Sequence, residues 1–300
     1  MSVAQYFGNP LLRLFVGAIF ISFSAVWVRL VSVSPSTSGF YRLAIGGTAL
    51  VLVMLVTGRR FSFSRRAWQL LTAGVIFFAL DIWFFHASIV VVGPGLATLL
   101  SNFQVFFMML AGLLWLGQRP RLLQVIAVPI AMIGLGMIIG FDWMALASDY
   151  RTGVIVGTLA ALFYAAYMLM MRAARRDSSD PLPISEVAVV SIGSAVILGL
   201  AAFVEGESLV IPSTSDAVWL LSYGLFSQCL GWLLIASSLR MVTTTQAGIA
   251  LLVQPALSFV WDVLFFDRPT SVVELSGAVV ALLAIYMGSR GTSKQAQRTS

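Results

Sequence analysis

Apolar residues run along this 300-residue chain in long stretches that neither alternate with polar residues nor stop for more than a few charges. Bounded by charges, Pro or Gly, these stretches form ten segments: 14–33, 37–57, 68–90, 94–116, 121–140, 153–172, 184–204, 217–239, 243–265 and 271–289. Each is about the 20 residues that an α-helix needs to cross a bilayer. In hydrocarbon the backbone must satisfy its own hydrogen bonds, and runs of this length without period-two alternation point to helices rather than a barrel. The pattern predicts an all-α polytopic membrane protein with ten transmembrane helices. Arg13 before the first segment gives it the look of a signal peptide, but the segment is too long for one and lacks a small-residue cleavage site, so it is kept as a helix.

Composition narrows this further. The chain is 59% hydrophobic and 10% charged, against roughly a quarter charged in a soluble domain. Ten helices consume on the order of 200 residues, which leaves no room for a separate soluble domain. The net charge of +6 and pI near 10.0 suggest nucleic acid until the basic residues are located. If the N-terminus is cytoplasmic, Arg13, Arg59, Arg60, Arg65, Arg66, Arg119 and Arg121 all fall inside. So do Arg172, Arg175, Arg176, Arg240, Arg290, Lys294 and Arg298, making 14 of the 18 Lys and Arg. The other face carries Asp142, Asp149, Glu205, Glu207, Asp216 and Asp267. Short cytoplasmic loops retain positive charge, so the pI is a topology signal: both termini are predicted in the cytoplasm, with no nucleic-acid partner. One cysteine, Cys229, excludes an internal disulfide framework, and the single His86 makes a His-rich metal site remote. No cofactor is predicted.

The segments also repeat. Ala87-Ser88 followed by Arg119-Pro120 recurs as Ala236-Ser237 followed by Arg268-Pro269 at the same spacing. Gly17, Phe23 and Ala25 match Gly157, Phe163 and Ala165, and Pro35 and Pro183 lie just before the second and seventh segments. The common order divides the chain into an N-terminal repeat (1–140), a periplasmic linker (141–152), a C-terminal repeat (153–289) and a cytoplasmic tail (290–300). Five helices per half is an odd number, so the halves insert with opposite polarity. Secondary transporters use such inverted repeats to exchange inward- and outward-open shapes around a central site.

Pro35 with Gly39-Phe40-Tyr41-Arg42-Leu43, the stretch Ser22-Phe23-Ser24-Ala25, and Arg119-Pro120 and Arg268-Pro269 carry a resemblance to the EamA-type drug/metabolite transporter superfamily. It covers almost the whole chain, and within the superfamily the chain most resembles the YddG-like exporters of aromatic and other amino acids. The resemblance implies a bacterial inner-membrane carrier that moves small metabolites outward by alternating access. One departure stands out: no Tyr-Arg pair in the second half matches Tyr41-Arg42, and Glu186 lies near the start of the seventh segment instead. The site need not be chemically symmetric.

Ionisable groups at membrane depth cost a few kcal/mol and face the bundle interior or a water-filled cavity. Asp81 lies near the middle of the third segment, and His86 follows it by five residues, about 140° around a helix. Asp81 suits a substrate amine or a titrating proton, or else an internal pair; His86 suits a pH-sensitive or substrate contact, or a local hydrogen bond. The guanidinium of Arg42 matches a carboxylate, or else forms an ion pair or gate with Asp262 or Asp81. Arg29 is near enough to an end to snorkel. Asn102, Gln104, Gln228 and Gln254 cluster at similar depth on three segments, as cavity lining or as interhelical glue. Pro129 and Pro255 are candidate hinges.

Among the aromatics Trp83, Tyr164, Tyr167, Trp232 and Trp261, the two tyrosines share a helix face. Ser22 and Ser24 offer hydroxyls or close packing. Gly153-x-x-x-Gly157 and Gly136-x-x-x-Gly140 suit close helix contact, and Gly93-Pro94-Gly95 reads as a tight turn opening the fourth helix.

The predicted substrate-binding set is Asp81, Trp83, His86, Asn102, Tyr164, Tyr167, Gln228 and Gln254, with Arg42 and Asp262 as gate or ion pair. The predicted function is secondary export of amino acids, aromatic and other neutral ones, or related metabolites, and it implies a small-molecule substrate and a lipid bilayer. A single copy suffices for this reading. Two alternatives remain: a membrane-embedded lipid-modifying enzyme, with the outer acids and His86 as its thin catalytic candidate, and a non-transporting scaffold or sensor. The absence of nucleophile-elbow, metalloprotease and Walker sequences argues against hydrolytic and ATP-driven chemistry.

Overall fold

The computed structural model describes residues 9–115, 117, 120–140, 142–176, 182–238, 250, 251 and 253–289. Among them every regular element is helical. In chain order these are α1 (Pro10–Ser22), α2 (Ser24–Leu30), α3 (Pro35–Val56), α4 (Arg65–Val92), α5 (Pro94–Ser101), α6 (Gln104–Trp115) and α7 (Leu122–Ile139). A short 3-10 turn, Trp143–Ala145, leads into α8 (Ser148–Ala174), α9 (Ile184–Val204) and α10 (Thr214–Ser222). A π-helical stretch, Tyr223–Gly231, then joins α10 to α11 (Trp232–Ser238), followed by α12 (Val253–Phe266) and α13 (Val272–Ser289). Among the described residues, eight stretches are long and apolar enough to cross a membrane; α12 and α13 are shorter apolar helices. Arg119, Arg240, the tail 290–300 with Arg290, Lys294 and Arg298, and the start of the ninth predicted segment lie outside the described residues.

Local chemistry sets the helix starts. Ser34 accepts from the Thr37 backbone N–H at 3.3 Å, with Pro35 as the first helical residue of α3. Ser64 does the same for Ala67 at 3.1 Å at the start of α4. Gly93, with φ of +85°, closes α4 before Pro94 opens α5, so the predicted tight turn forms.

Three predicted spans are not uniform helices. The first breaks at Phe23 and the fourth at Asn102 and Phe103, where the Asn102 side-chain amide donates to the Thr98 carbonyl at 2.8 Å. The eighth passes through the π-helical stretch, which widens the helix and resets its side-chain register. Gly136-x-x-x-Gly140 does not act as a close-contact pair at its second glycine: a Cβ on Gly140 would meet nothing within 4 Å, and Gly140 instead ends α7 with φ of +91°. Pro129 lies on the exposed side of one continuous helix, whereas Pro255 is buried near the start of α12.

The strongest packing joins the first half of the chain to the second. α4 lies along α8, α3 along α9, α7 along α13 and α5 along α12, while α1 runs against the π-helical stretch and α11. Glycine permits the closest approaches. A Cβ on Gly17 of α1 would sit 3.0 Å from the Gly231 carbonyl oxygen, and one on Gly157 of α8 would sit 2.6 Å from Ser88 Oγ of α4. Large apolar side chains cover the outside, including Leu55, Leu114 and Val204, while Arg42, Asp81, His86 and Gln228 are buried within. That distribution suits lipid around the bundle and polar chemistry inside it.

Candidate functional site

A cavity of about 180 Å³ opens in the interior. It lies where three apolar clusters meet: Phe78 and Ile82 belong to one, Phe85 to a second and Ile235 to a third. Its polar lining comes from many elements: Ser24 of α2, Arg42 of α3, Asp81 of α4, Thr98 and Ser101 of α5, and Asn102 and Gln104 at the break before and start of α6. Tyr164 and Met168 of α8, Trp232 of α11 and Gln254 of α12 complete the wall. The break at Asn102 matters here, since an interrupted helix turns polar side chains and backbone toward a cavity that a straight apolar helix would seal.

Two opposite charges face this space. Asp81 is 5% exposed and makes no hydrogen bond or ion pair with any described residue. Arg42, also 5% exposed, meets no carboxylate within ion-pair distance among the described residues. Neutral groups hold it instead. Its Nε donates to Gln228 Oε1 at 3.0 Å and its Nη1 to the Tyr223 hydroxyl at 2.8 Å, and the guanidinium carbon sits 4.9 Å from the Tyr223 ring centroid. Nη2 has no protein partner among the described residues.

Behind Arg42 lies a second layer. Gln228 Nε2 donates to Ser191 Oγ at 3.0 Å, and Tyr223 meets His86 Nε2 at 2.8 Å while His86 Nδ1 lies 3.2 Å from the Pro35 carbonyl.

Of the predicted site residues, Asp81, Asn102, Tyr164, Gln254 and Arg42 line the cavity. His86 and Gln228 sit one layer behind it, bonded to Tyr223 and Arg42 rather than turned to the open space. Tyr167 is buried under Tyr164, its ring 6.1 Å away, and stacks on Phe78 at 4.5 Å. Trp83 points elsewhere: its indole N–H donates to Ser36 Oγ at 3.0 Å and to Glu205 Oε1 at 3.1 Å, at the start of α3 and the end of α9. Asp262 does not pair with Arg42. It accepts from the Gly95 backbone N–H at 3.0 Å and from Arg268 Nη1 at 3.1 Å. Ser22 accepts from the Trp261 indole at 3.0 Å, whereas the buried Ser24 hydroxyl lines the cavity near the Tyr223 hydroxyl with no close hydrogen bond among the described residues.

Tyr223 is the residue that the sequence reading missed. A tyrosine near the end of an apolar segment reads as an interfacial anchor, and only the partners across the bundle reveal its role. Among the described residues no cluster of three or more His, Cys, Asp or Glu could hold a metal.

An all-helical bundle with an apolar exterior and a polar cavity enclosed between helices defines a polytopic membrane protein built around a small-molecule site. The chain belongs to the EamA-like transporter family, whose model matches it twice, over residues 9–140 and again over 151–290. It is similar to an uncharacterized transporter of Haemophilus influenzae, 33% identical over 103 residues, which are 34% of this chain and 33% of the relative. The similarity therefore spans about a third of that curated relative. A solved crystal structure shares the fold with a TM-score of 0.67 at 16% identity, covering 94% of this chain and 98% of its own. Both the family and the relative are named as transporters.

Proposed function

We propose that this chain is a secondary carrier exporting free amino acids, aromatic and other neutral ones, across a bacterial inner membrane, in the manner of the YddG-like exporters it resembles. The observation that carries the reading is that Arg42 and Asp81 line one small cavity and make no ion pair with each other. Arg42 offers a guanidinium to a carboxylate and Asp81 a carboxylate to an ammonium, as a zwitterion requires. The cavity is smaller than the roughly 300–1,000 Å³ of drug-sized sites, which suits a metabolite, and Tyr164, Phe78 and Phe85 supply apolar wall for a side chain.

Alternating access between two inverted five-helix repeats, 1–140 and 153–289, completes the proposal, with 141–152 as a periplasmic linker and both termini cytoplasmic. The two family matches, one per half, support it. So does the packing: if each helix in one half has a counterpart in the other, α3 with α9, α5 with α12 and α7 with α13 are self-matched pairs, and α4 against α8 corresponds to the eighth span against α1. Gly17 and Gly157, matched in sequence, make equivalent close approaches in those last two pairs. Pro255 and Pro129 are proposed as hinges for the exchange.

Purified protein in liposomes preloaded with labelled phenylalanine is the test. Saturable efflux is expected, and Asp81→Asn should weaken it about tenfold or more while leaving thermal unfolding unchanged or slightly raised, since the variant replaces a buried carboxyl that no described residue hydrogen-bonds. Absence of flux for every amino acid tried would sink the substrate assignment.

A further inference from the structure

We infer that Tyr223 is a positioning residue that aims Arg42 at the substrate carboxylate, with His86 fixing the direction of its hydroxyl; the inference rests on the amino-acid reading above. The Pro35 carbonyl has only lone pairs to offer, so the hydrogen between it and His86 belongs on Nδ1, an assignment made from the partners. Nε2 of the neutral ring then accepts. The hydroxyl hydrogen of Tyr223 goes to it at 2.8 Å, and the phenolic lone pairs are left toward Arg42 Nη1, also at 2.8 Å. The chain of donors runs one way, from Arg42 through Tyr223 and His86 to Pro35. Gln228 acts in parallel on Nε, and its own amide is pinned by Ser191.

Two of the three guanidinium nitrogens are thus fixed by neutral groups, and Nη2 is left for a ligand. Neutral partners set the direction of the guanidinium without cancelling its charge, which an acid in their place would do. Tyr223 belongs to the π-helical stretch, and its ring stacks both on His86, at 5.7 Å between centroids, and against Arg42. The wider turn sets the phenol between the two, and no other described side chain bridges them.

Tyr223→Phe isolates the claim, because it keeps the ring, the stacking and the volume and removes only the hydroxyl. In proteoliposomes the KM for phenylalanine should rise roughly tenfold, as for loss of one hydrogen bond to a charged group, with the maximal rate within about twofold of wild type. The inhibition constant of phenylalaninamide, which lacks the carboxylate, should not move. Combined with Arg42→Lys, the tyrosine substitution should add nothing, since both act on one interaction. Should Tyr223→Phe not be recovered folded, His86→Gln tests the same chain one link further back with the same expected direction. Equal weakening of acid and amide, full additivity with Arg42→Lys, or an unchanged KM would overturn the inference while leaving the transport reading intact. A wild-type protein that moves no phenylalanine overturns the reading first and the inference with it.

Discussion

Two arginines of this bundle, Arg42 buried and Arg268 half-buried, do opposite things. Arg268, after α12, stacks over Phe259 at 5.2 Å and pairs with Asp262 at 3.1 Å and, more distantly, with Glu274 at 3.9 Å. Arg42, in α3, stacks over Tyr223 at 4.9 Å and meets only the neutral Gln228 and Tyr223. The ring beneath the guanidinium is common to both, and the acid is not. A guanidinium whose charge is cancelled inside the protein is a strut, and one that is aimed but left charged is a receptor awaiting an anion. The lesson is that burial of an arginine says little about its role until its partners are sorted into neutral and acidic.

The largest effect comes from removing each charge. Arg42→Met should abolish saturable amino-acid efflux and cost about 1–3 kcal/mol of stability, because Gln228 Oε1 loses its donor. Arg268→Met should shift the balance: Asp262 would be left buried without its cation, at a cost of about 3–5 kcal/mol, while the KM of whatever protein remains folded stays near wild type. Thermal unfolding in detergent and efflux kinetics on the same preparations read both. If the two substitutions gave the same profile, the distinction between strut and receptor would collapse.

A sharper test makes Arg42 resemble Arg268. Gln228→Glu places a carboxylate where the amide oxygen now accepts from Nε at 3.0 Å, and its second oxygen, replacing the Nε2 that donates to Ser191 Oγ, can accept from that hydroxyl turned round. The pair should hold the fold at least as well as before. Transport should nevertheless fall about tenfold, because the substrate carboxylate must now compete with an internal one. Unimpaired transport would mean that the charge of Arg42 is not what the substrate meets.

How far these roles were legible in the sequence follows the same division. Asp81, Arg42, Asn102 and Gln254 stood out because a polar group at membrane depth must find a cavity or a partner, and all four line the cavity. His86 and Gln228 were equally visible and were set one layer too far forward, since helical spacing gives a face but not what stands across from it. The five-residue step from Asp81 to His86 already put them on different faces. Trp83 was misjudged for want of Glu205, more than a hundred residues away in sequence, whose carboxylate takes its indole N–H. Neither Phe23 nor Asn102 lies beside a Pro or Gly that would announce a helix break. Both breaks border the cavity, which Ile21, Ser24, Ser101 and Asn102 line, and hydropathy does not register them.

The smallest effect probes the outer edge of the strut. Glu274 reaches Arg268 only at 3.9 Å and its side chain is 24% exposed, against 4% for Asp262. Solvent therefore screens most of the attraction, and its backbone cap is the stronger local contact: Glu274 Oε2 accepts from the Ser271 N–H at 2.7 Å. Glu274→Gln keeps an acceptor for that cap and removes only the charge, so unfolding should shift by no more than about 0.5 kcal/mol with efflux kinetics unchanged. Asp262→Asn, one step inward on the same arginine, should cost several times more, because the carboxylate there also receives the Gly95 backbone N–H in a buried turn. A Glu274 effect as large as that of Asp262 would show that Arg268 depends on a network of two acids, and the contrast with Arg42 would then rest on two carboxylates rather than one.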